Sequence, residues 1–127
     1  MKLPTVTAIC AIGKCGQLGL NGKLPWYDSD DLKRFKTLTW GGVLICGFNT
    51  YVNMPRLKGR TLYVPKDDEM PVETLYRLNH ATDLFLIGGG KTFAKFAEAG
   101  LIRHWDITKV DYDGPSDVWF DPSWLIM

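Results

Sequence analysis

Three stretches hold the residues best suited to chemistry. The first is Gly88-Gly89-Gly90, followed by Lys91 and Thr92. Residues 83–87 ahead of it are rich in β-formers and the residues behind it have helical character, so the glycines make a strand-to-helix turn. Such a turn puts unpaired backbone N–H groups and the positive end of a helix at one edge of a sheet, where phosphate binds well. Lys91 adds a cation and Thr92 a hydroxyl. The run is neither G-x-G-x-x-G nor a Walker loop, and a simple turn is its plainer reading. The second stretch centres on Asp31, which helical spacing sets on one face with Phe35, with Leu32 and Lys36 alongside. A carboxylate among apolar side chains can accept two parallel N–H bonds from a planar, amidine-like group. The plainer reading is a first-turn acid that complements the helix dipole, as Asp28 and Asp30 would. The third stretch is residues 16–26. Gly16, Gly19, Asn21 and Gly22 tolerate unusual backbone angles there, while Pro25 and Trp26 anchor its end. It can serve as a lid that excludes water from a reacting ring, or as a surface loop with one packed tryptophan.

Other chemistries find little support. Cys10, Cys15 and Cys46 include no C-x-x-C pair and have only two histidines for company, so neither a disulfide framework nor a metal site is expected. Buried reduced thiols are the expectation. Fifteen Lys and Arg balance fourteen Asp and Glu, for a net charge of +1. That balance and the lack of a basic stripe argue against nucleic acid as a partner. No apolar run approaches the roughly 18 residues a membrane span needs, and the opening residues make a poor signal peptide. A cytoplasmic protein is expected.

The elements that must carry these residues follow from pattern. Val6–Ile12 reads as a buried strand. Asp28 or Ser29 can cap a helix with Leu32, Phe35 and Leu38 on its apolar face. Residues 42–46 read as a strand, 49–53 as a short helix and 61–64 as a strand stopped by Pro65. Pro71 suits a helix start, with Val72, Leu75 and Leu78 as the core face. Residues 83–87 form a strand, 91–99 a helix ended by Gly100, and residues 104–110, from His104 at the start to Val110 at the end, a further strand. Alternating strands and helices of this kind predict an α/β fold with a largely parallel sheet flanked by helices. With 127 residues and no linker, the chain is expected to be one domain over 1–127.

Taken in order, these features resemble the dihydrofolate reductase family over residues 6 to about 120. GLNGKLPW, ending at Trp26, resembles the family's loop before the substrate helix, and Asp31 falls where its single active-site acid belongs. ICGFNTY at 45–51 resembles the strand-to-helix segment that holds the cofactor. LKGR, ending at Arg60, matches the segment whose arginine binds the glutamate tail of folate. Ile87, the triple glycine and Phe93 match the second cofactor loop. Thr108 stands where the family's threonine supports the acid.

The resemblance implies hydride transfer from NADPH to 7,8-dihydrofolate, giving tetrahydrofolate. It places the pterin among Ile9, Ala11, Leu32, Phe35 and Ile87, gripped by Asp31, with water delivering the proton. Leu24, Trp26 and the loop before them would close over the reacting faces. Met54 and Leu57 would flank the benzoyl ring, and Arg60, helped by Lys36, would bind the tail carboxylate. The cofactor would lie along Ala11, Leu18, Gly47, Phe48, Asn49, Thr50, Lys66, Gly88, Gly89, Gly90, Lys91, Thr92 and Phe93, with a cis Gly88–Gly89 bond. A related pteridine or riboflavin-precursor reductase, or a non-catalytic protein of the same fold, are the alternatives.

The match departs from the family in four places. Phe48 stands where an arginine or lysine is usual near the cofactor phosphates, leaving Lys66 for the 2′-phosphate, and Pro65 replaces a usual hydroxyl donor. Phe93 replaces a common tyrosine. The family's two C-terminal strands are missing, so the strand at 104–110 is expected to be an exposed edge. A homo-oligomer through that edge or through the apolar tail at 124–127 is therefore expected, unless the tail folds back over the edge.

Overall fold

The run of β-formers at Val6–Ile12 forms strand β1 in the computed structural model, which describes residues 2–126. Successive side chains of a strand point to opposite faces. Val6, Ala8, Cys10 and Ile12 therefore enter one core while Ile9 and Ala11 face the other way, and all six are buried. Strands β3 (Val43–Cys46), β4 (Thr61–Tyr63), β5 (Leu84–Gly88) and β6 (Ile102–Lys109) join β1 in one sheet of order β4-β3-β5-β1-β6. Every pairing in it is parallel, as the alternation of strand and helix predicts. The strand expected at 104–110 starts two residues earlier, and it is an edge.

Helix α1 spans Ser29–Thr39 and is capped by Asp28, whose Oδ1 accepts the Asp31 N–H at 3.1 Å. Helix α2 spans Phe48–Asn53, α3 Pro71–Arg77 and α4 Gly90–Glu98, with Gly100 at φ +69° closing the last of these. Leu75 and Leu78 of the α3 region and Phe93, Phe96 and Ala97 of α4 pack on the face that carries Ala8, Cys10 and Leu86. Helix α1 covers the opposite face. No helix among the described residues is long and apolar enough to cross a membrane.

Four expectations need correction. Val72 is 49% exposed, and the buried face of α3 is Pro71, Thr74 and Leu75. Thr74 can be buried because its hydroxyl donates to Glu69 Oε2 at 2.6 Å, a tertiary partner that local pattern does not reveal. The glycine-rich loop contains strand β2 (Gln17–Gly19), paired antiparallel with β7 (Val118–Trp119). Cys10 and Cys46 are buried thiols, but Cys15 is exposed and donates to Asp113 Oδ1 at 3.3 Å. In the tail, Trp124 turns inward from a single 3-10 turn, Pro122–Ile126, and packs on Phe93, Trp105 and Phe120. Only Leu125 and Ile126 of the described tail remain exposed, because the tryptophan has the largest apolar surface to bury. Met127 lies outside the described residues.

Candidate active site

The carboxyl ends of the central strands open into a cleft of about 1250 Å³. Ends of parallel strands are where such sheets bind ligands, since helix N-termini and free backbone groups converge there. Two turns form its wall. At the first, β3 ends and Gly47 starts α2. At the second, β5 ends and Gly89 starts α4, across a cis Gly88–Gly89 bond. The Gly47 N–H donates to Gly88 O at 2.7 Å, tying the turns together. Only glycine permits this approach. A Cβ at Gly47 would lie 2.7 Å from Thr92 Oγ1, and one at Gly89 would lie 3.1 Å from Thr50 Oγ1. The first turn of α4 has no side-chain cap, so its N–H groups are available to an anion.

On the opposite side, α1 brings Asp31, Leu32, Arg34 and Phe35 to the cleft, facing Ile9 and Ala11 of β1. Asp31 is half-buried, and among the described residues its carboxylate has no hydrogen-bond or ion-pair partner. An ionisable oxygen pair in apolar surroundings with nothing to bind inside the protein is a receptor for an external N–H donor. Burial pushes the nearby Cys10 thiol up to about 12, with the Asp106 and Asp31 charges adding to the effect. Burial likewise pushes Cys46 up to about 11, so both thiols stay protonated.

The lid segment is more ordered than its glycine content suggests. Leu20 and Lys23 exchange backbone hydrogen bonds of 2.7 and 3.1 Å around Asn21 and Gly22, both at positive φ. This is a two-residue hairpin turn, for which Asn-Gly is the favoured dipeptide. Its base is held by Ser116, whose hydroxyl lies 2.7 Å from Gly19 O, and by Asp117, whose Oδ2 accepts the Asn21 N–H at 3.0 Å. Leu24 reaches the cleft.

Of the residues expected at the site, Ile9, Ala11, Leu18, Leu24, Asp31, Leu32, Phe35, Met54, Leu57 and Ile87 line this cleft. So do Gly47, Phe48, Asn49, Thr50, Lys66, Gly88, Gly89, Gly90, Lys91, Thr92 and Phe93. Four do not. Trp26 packs against Tyr112, with ring centroids 5.3 Å apart, which buries part of both rings away from the cleft. Lys36 and Arg60 flank the Trp40 ring at 5.6 and 5.8 Å. Arg60 Nε also donates to Lys58 O at 2.9 Å and Nη1 to Thr39 Oγ1 at 3.5 Å, which leaves the rest of its five-donor fork uncommitted. Thr108 accepts from Arg34 Nη1 at 3.1 Å, and among the described residues no hydrogen bond joins it to Asp31.

Sequence reasoning missed Arg34, Asn53 and Lys23, which also line the cleft, and Asp106, the partner of Arg34 outside it. The signal for Arg34 was present, since a residue three after Asp31 shares its helix face.

A parallel α/β sheet with paired glycine turns and, on the helix across the cleft, the unpartnered Asp31 defines a class of enzymes that bind a phosphate-bearing cofactor beside a flat substrate. The dihydrofolate reductase family model matches residues 5–124, and the chain belongs to that family of reductases. It is 42% identical to dihydromethanopterin reductase from Methylorubrum extorquens, over 95% of this chain and 93% of that protein. Dihydrofolate reductase HdrB from Haloferax volcanii is 26% identical over 91% of this chain and 70% of its own length. Among solved structures, dihydrofolate reductase from Enterococcus faecalis, complexed with NADP(H) and RAB-propyl, superposes with a TM-score of 0.79. That match has 27% identity and covers 92% of this chain and 77% of the other.

Proposed function

We propose that this protein reduces the C=N bond of a 7,8-dihydropterin with NADPH. The observation that carries the reading is Asp31, a carboxylate without a protein partner, set among Ile9, Leu32 and Phe35 in the same cleft as the Gly88–Gly90 turn. It accepts two N–H bonds from the amidine-like edge of the pterin and so fixes which ring edge faces the glycine turn. Ile9, Leu32 and Phe35 cover the ring, and Leu24 covers the cleft from the hairpin. NADPH supplies the hydride when bound. Asp31 is not adjacent to the imine nitrogen, so water brings the proton that completes the addition.

The cleft fits the cofactor. Bare backbone at Gly47 and Gly89, the free N–H groups of α4 and the hydroxyls of Thr50 and Thr92 suit a pyrophosphate and a flat nicotinamide. Lys66 supplies a cation for a 2′-phosphate, while Phe48, 63% exposed, offers only a flat apolar face. Preference for NADPH over NADH therefore rests on Lys66.

Within the dihydropterins, dihydromethanopterin is the substrate we favour. Support comes from the 42% identity, over nearly the full length of both chains, to a dihydromethanopterin reductase. Arg60 adds to it, because the arginine that the family resemblance assigns to the folate tail lies beside Trp40 and does not line the cleft. Dihydrofolate is the second reading, favoured by the family match itself. A cytoplasmic setting and a second copy of the chain paired along β6 complete the proposal, supported by the free cysteines and by the open sheet edge.

The test is the loss of NADPH absorbance by purified protein supplied with each dihydropterin in turn. Faster oxidation with dihydromethanopterin is expected, and the reverse order assigns dihydrofolate. Folded protein that turns over neither substrate overturns the proposal.

A further inference from the structure

Arg34 and Asp106 take no part in the chemistry above, yet they stand beside the acid that does. Asp31 and Arg34 are three apart on α1, share a face and both line the cleft. Across from them, Asp106 lies opposite Ile9 and Thr108 opposite Ala11 in the β1–β6 register. Asp106 and Thr108 therefore project from the same sheet face as the two apolar residues beneath the pterin. The Arg34 guanidinium spans the gap. Its Nη2 is paired with Asp106 Oδ1, and its Nη1 donates to Thr108 Oγ1 at 3.1 Å.

This bridge has two physical consequences. A planar guanidinium held at two points on one strand fixes the helical turn that carries Asp31, Leu32 and Phe35. The second consequence is that the two ends of the bridge depend on each other. Asp106 is mostly buried, with 18% of its side chain exposed, and among the described residues Arg34 is its side-chain partner. Removing either end leaves the other without its charge-assisted contact. Asp28 already accepts the Asp31 N–H, so the clasp on β6 adds a second hold on the same helical turn.

We propose that Arg34 is a positioning residue for the substrate-binding acid: clasped by Asp106 and Thr108, it fixes α1 on β6 and so holds Asp31 where the dihydropterin meets it. The inference rests on the dihydropterin reading.

The experiment uses the full chain with Arg34→Gln, Asp106→Asn and the double variant. Dihydropterin and NADPH binding are measured separately by quenching of tryptophan fluorescence, and KM and kcat are determined separately. Arg34→Gln is expected to weaken dihydropterin binding about ten-fold, the worth of one charge-assisted contact, and to leave NADPH binding within about two-fold. The loss should appear in KM for the dihydropterin more than in kcat. Asp106→Asn should weaken dihydropterin binding in the same way, and the double variant should be no weaker than either single one, because both substitutions break one clasp. A purely structural brace would weaken both ligands alike.

The proposal is overturned if Arg34→Gln binds the dihydropterin as wild type does, or if the two substitutions add in the double variant. Should Arg34→Gln fail to fold, wild-type dihydropterin binding by Asp106→Asn overturns it instead. Wild-type protein that binds a dihydropterin but does not reduce it defeats the functional reading alone, and the binding comparison still decides the clasp. Wild-type protein that binds neither dihydropterin defeats both.

Discussion

Asp31 differs from the other acids of α1 in what surrounds it. Asp28 is consumed as the helix cap, and Asp30 lies exposed in the first turn. Asp31 lies on the buried side of that turn and keeps its acceptors free. Asp31→Asn retains the shape, breaks no internal hydrogen bond and removes the charge that grips the pterin. Its kcat/KM is expected to fall by about 100-fold or more, since charge-assisted bonds of roughly 1.5–3 kcal/mol each are lost at 1.36 kcal/mol per decade. Far-UV circular dichroism should be unchanged. Full turnover in the variant would remove Asp31 from the mechanism.

At the scale of elements, the far end of the cleft depends on a buried acid outside the reaction. Glu69 joins β4 to α3: Tyr63 Oη donates to its Oε2 at 2.8 Å and Thr74 Oγ1 at 2.6 Å. Burial alone would raise this carboxyl. The hydrogen bonds from Thr74 and Tyr63, a backbone hydrogen bond at Lys66 and the charge of Arg77 outweigh burial and hold it below the usual glutamate value. A carboxyl depressed in the folded state stabilises the fold at pH above its unfolded pKa, and that contribution fades as pH falls through the folded pKa. Glu69→Gln should therefore cost about 1–3 kcal/mol near neutrality, seen as a lower Tm. The gap to wild type should close in acid, below the ordinary glutamate range. A gap of equal size at every pH would show that packing, and not charge, is what Glu69 contributes.

At the scale of the molecule, the eight-residue strand β6 lies at the sheet edge and has no second pairing strand among the described residues. The 3-10 turn covers one face of this strand through Trp124 on Trp105, stacked at 8°, but stacking on a face does not satisfy the edge. Two copies related by a two-fold axis can pair such edges antiparallel. Sedimentation at micromolar concentration should then report a dimer, and a monomer would remove the second copy from the proposal.

What the sequence determined by itself was local or spelled out in order along the chain. Val6–Ile12 is a strand because β-formers cluster there, Asp28 caps α1 because its carboxylate reaches the Asp31 N–H, and Gly100 ends α4 because it accepts a positive φ. The ordered blocks that resemble dihydrofolate reductases located Asp31 and the two glycine turns, and the cleft brings them together. The Asn21-Gly22 dipeptide favours the turn it forms, although the pattern of residues 16–26 reads as a loop. The tertiary structure decided where long side chains go. Arg34, Lys36 and Arg60 each reach several partners, and the differences among exposed charge contacts are about 1 kcal/mol, too small for helix periodicity to rank. Only the packing of α1 on β6 put Asp106 within reach of Arg34. Only the fold of residues 55–60 against Trp40 drew Arg60 and Lys36 away from the cleft. Burial of Thr74 in place of Val72, and of Trp124 in the tail, likewise depended on partners far along the chain.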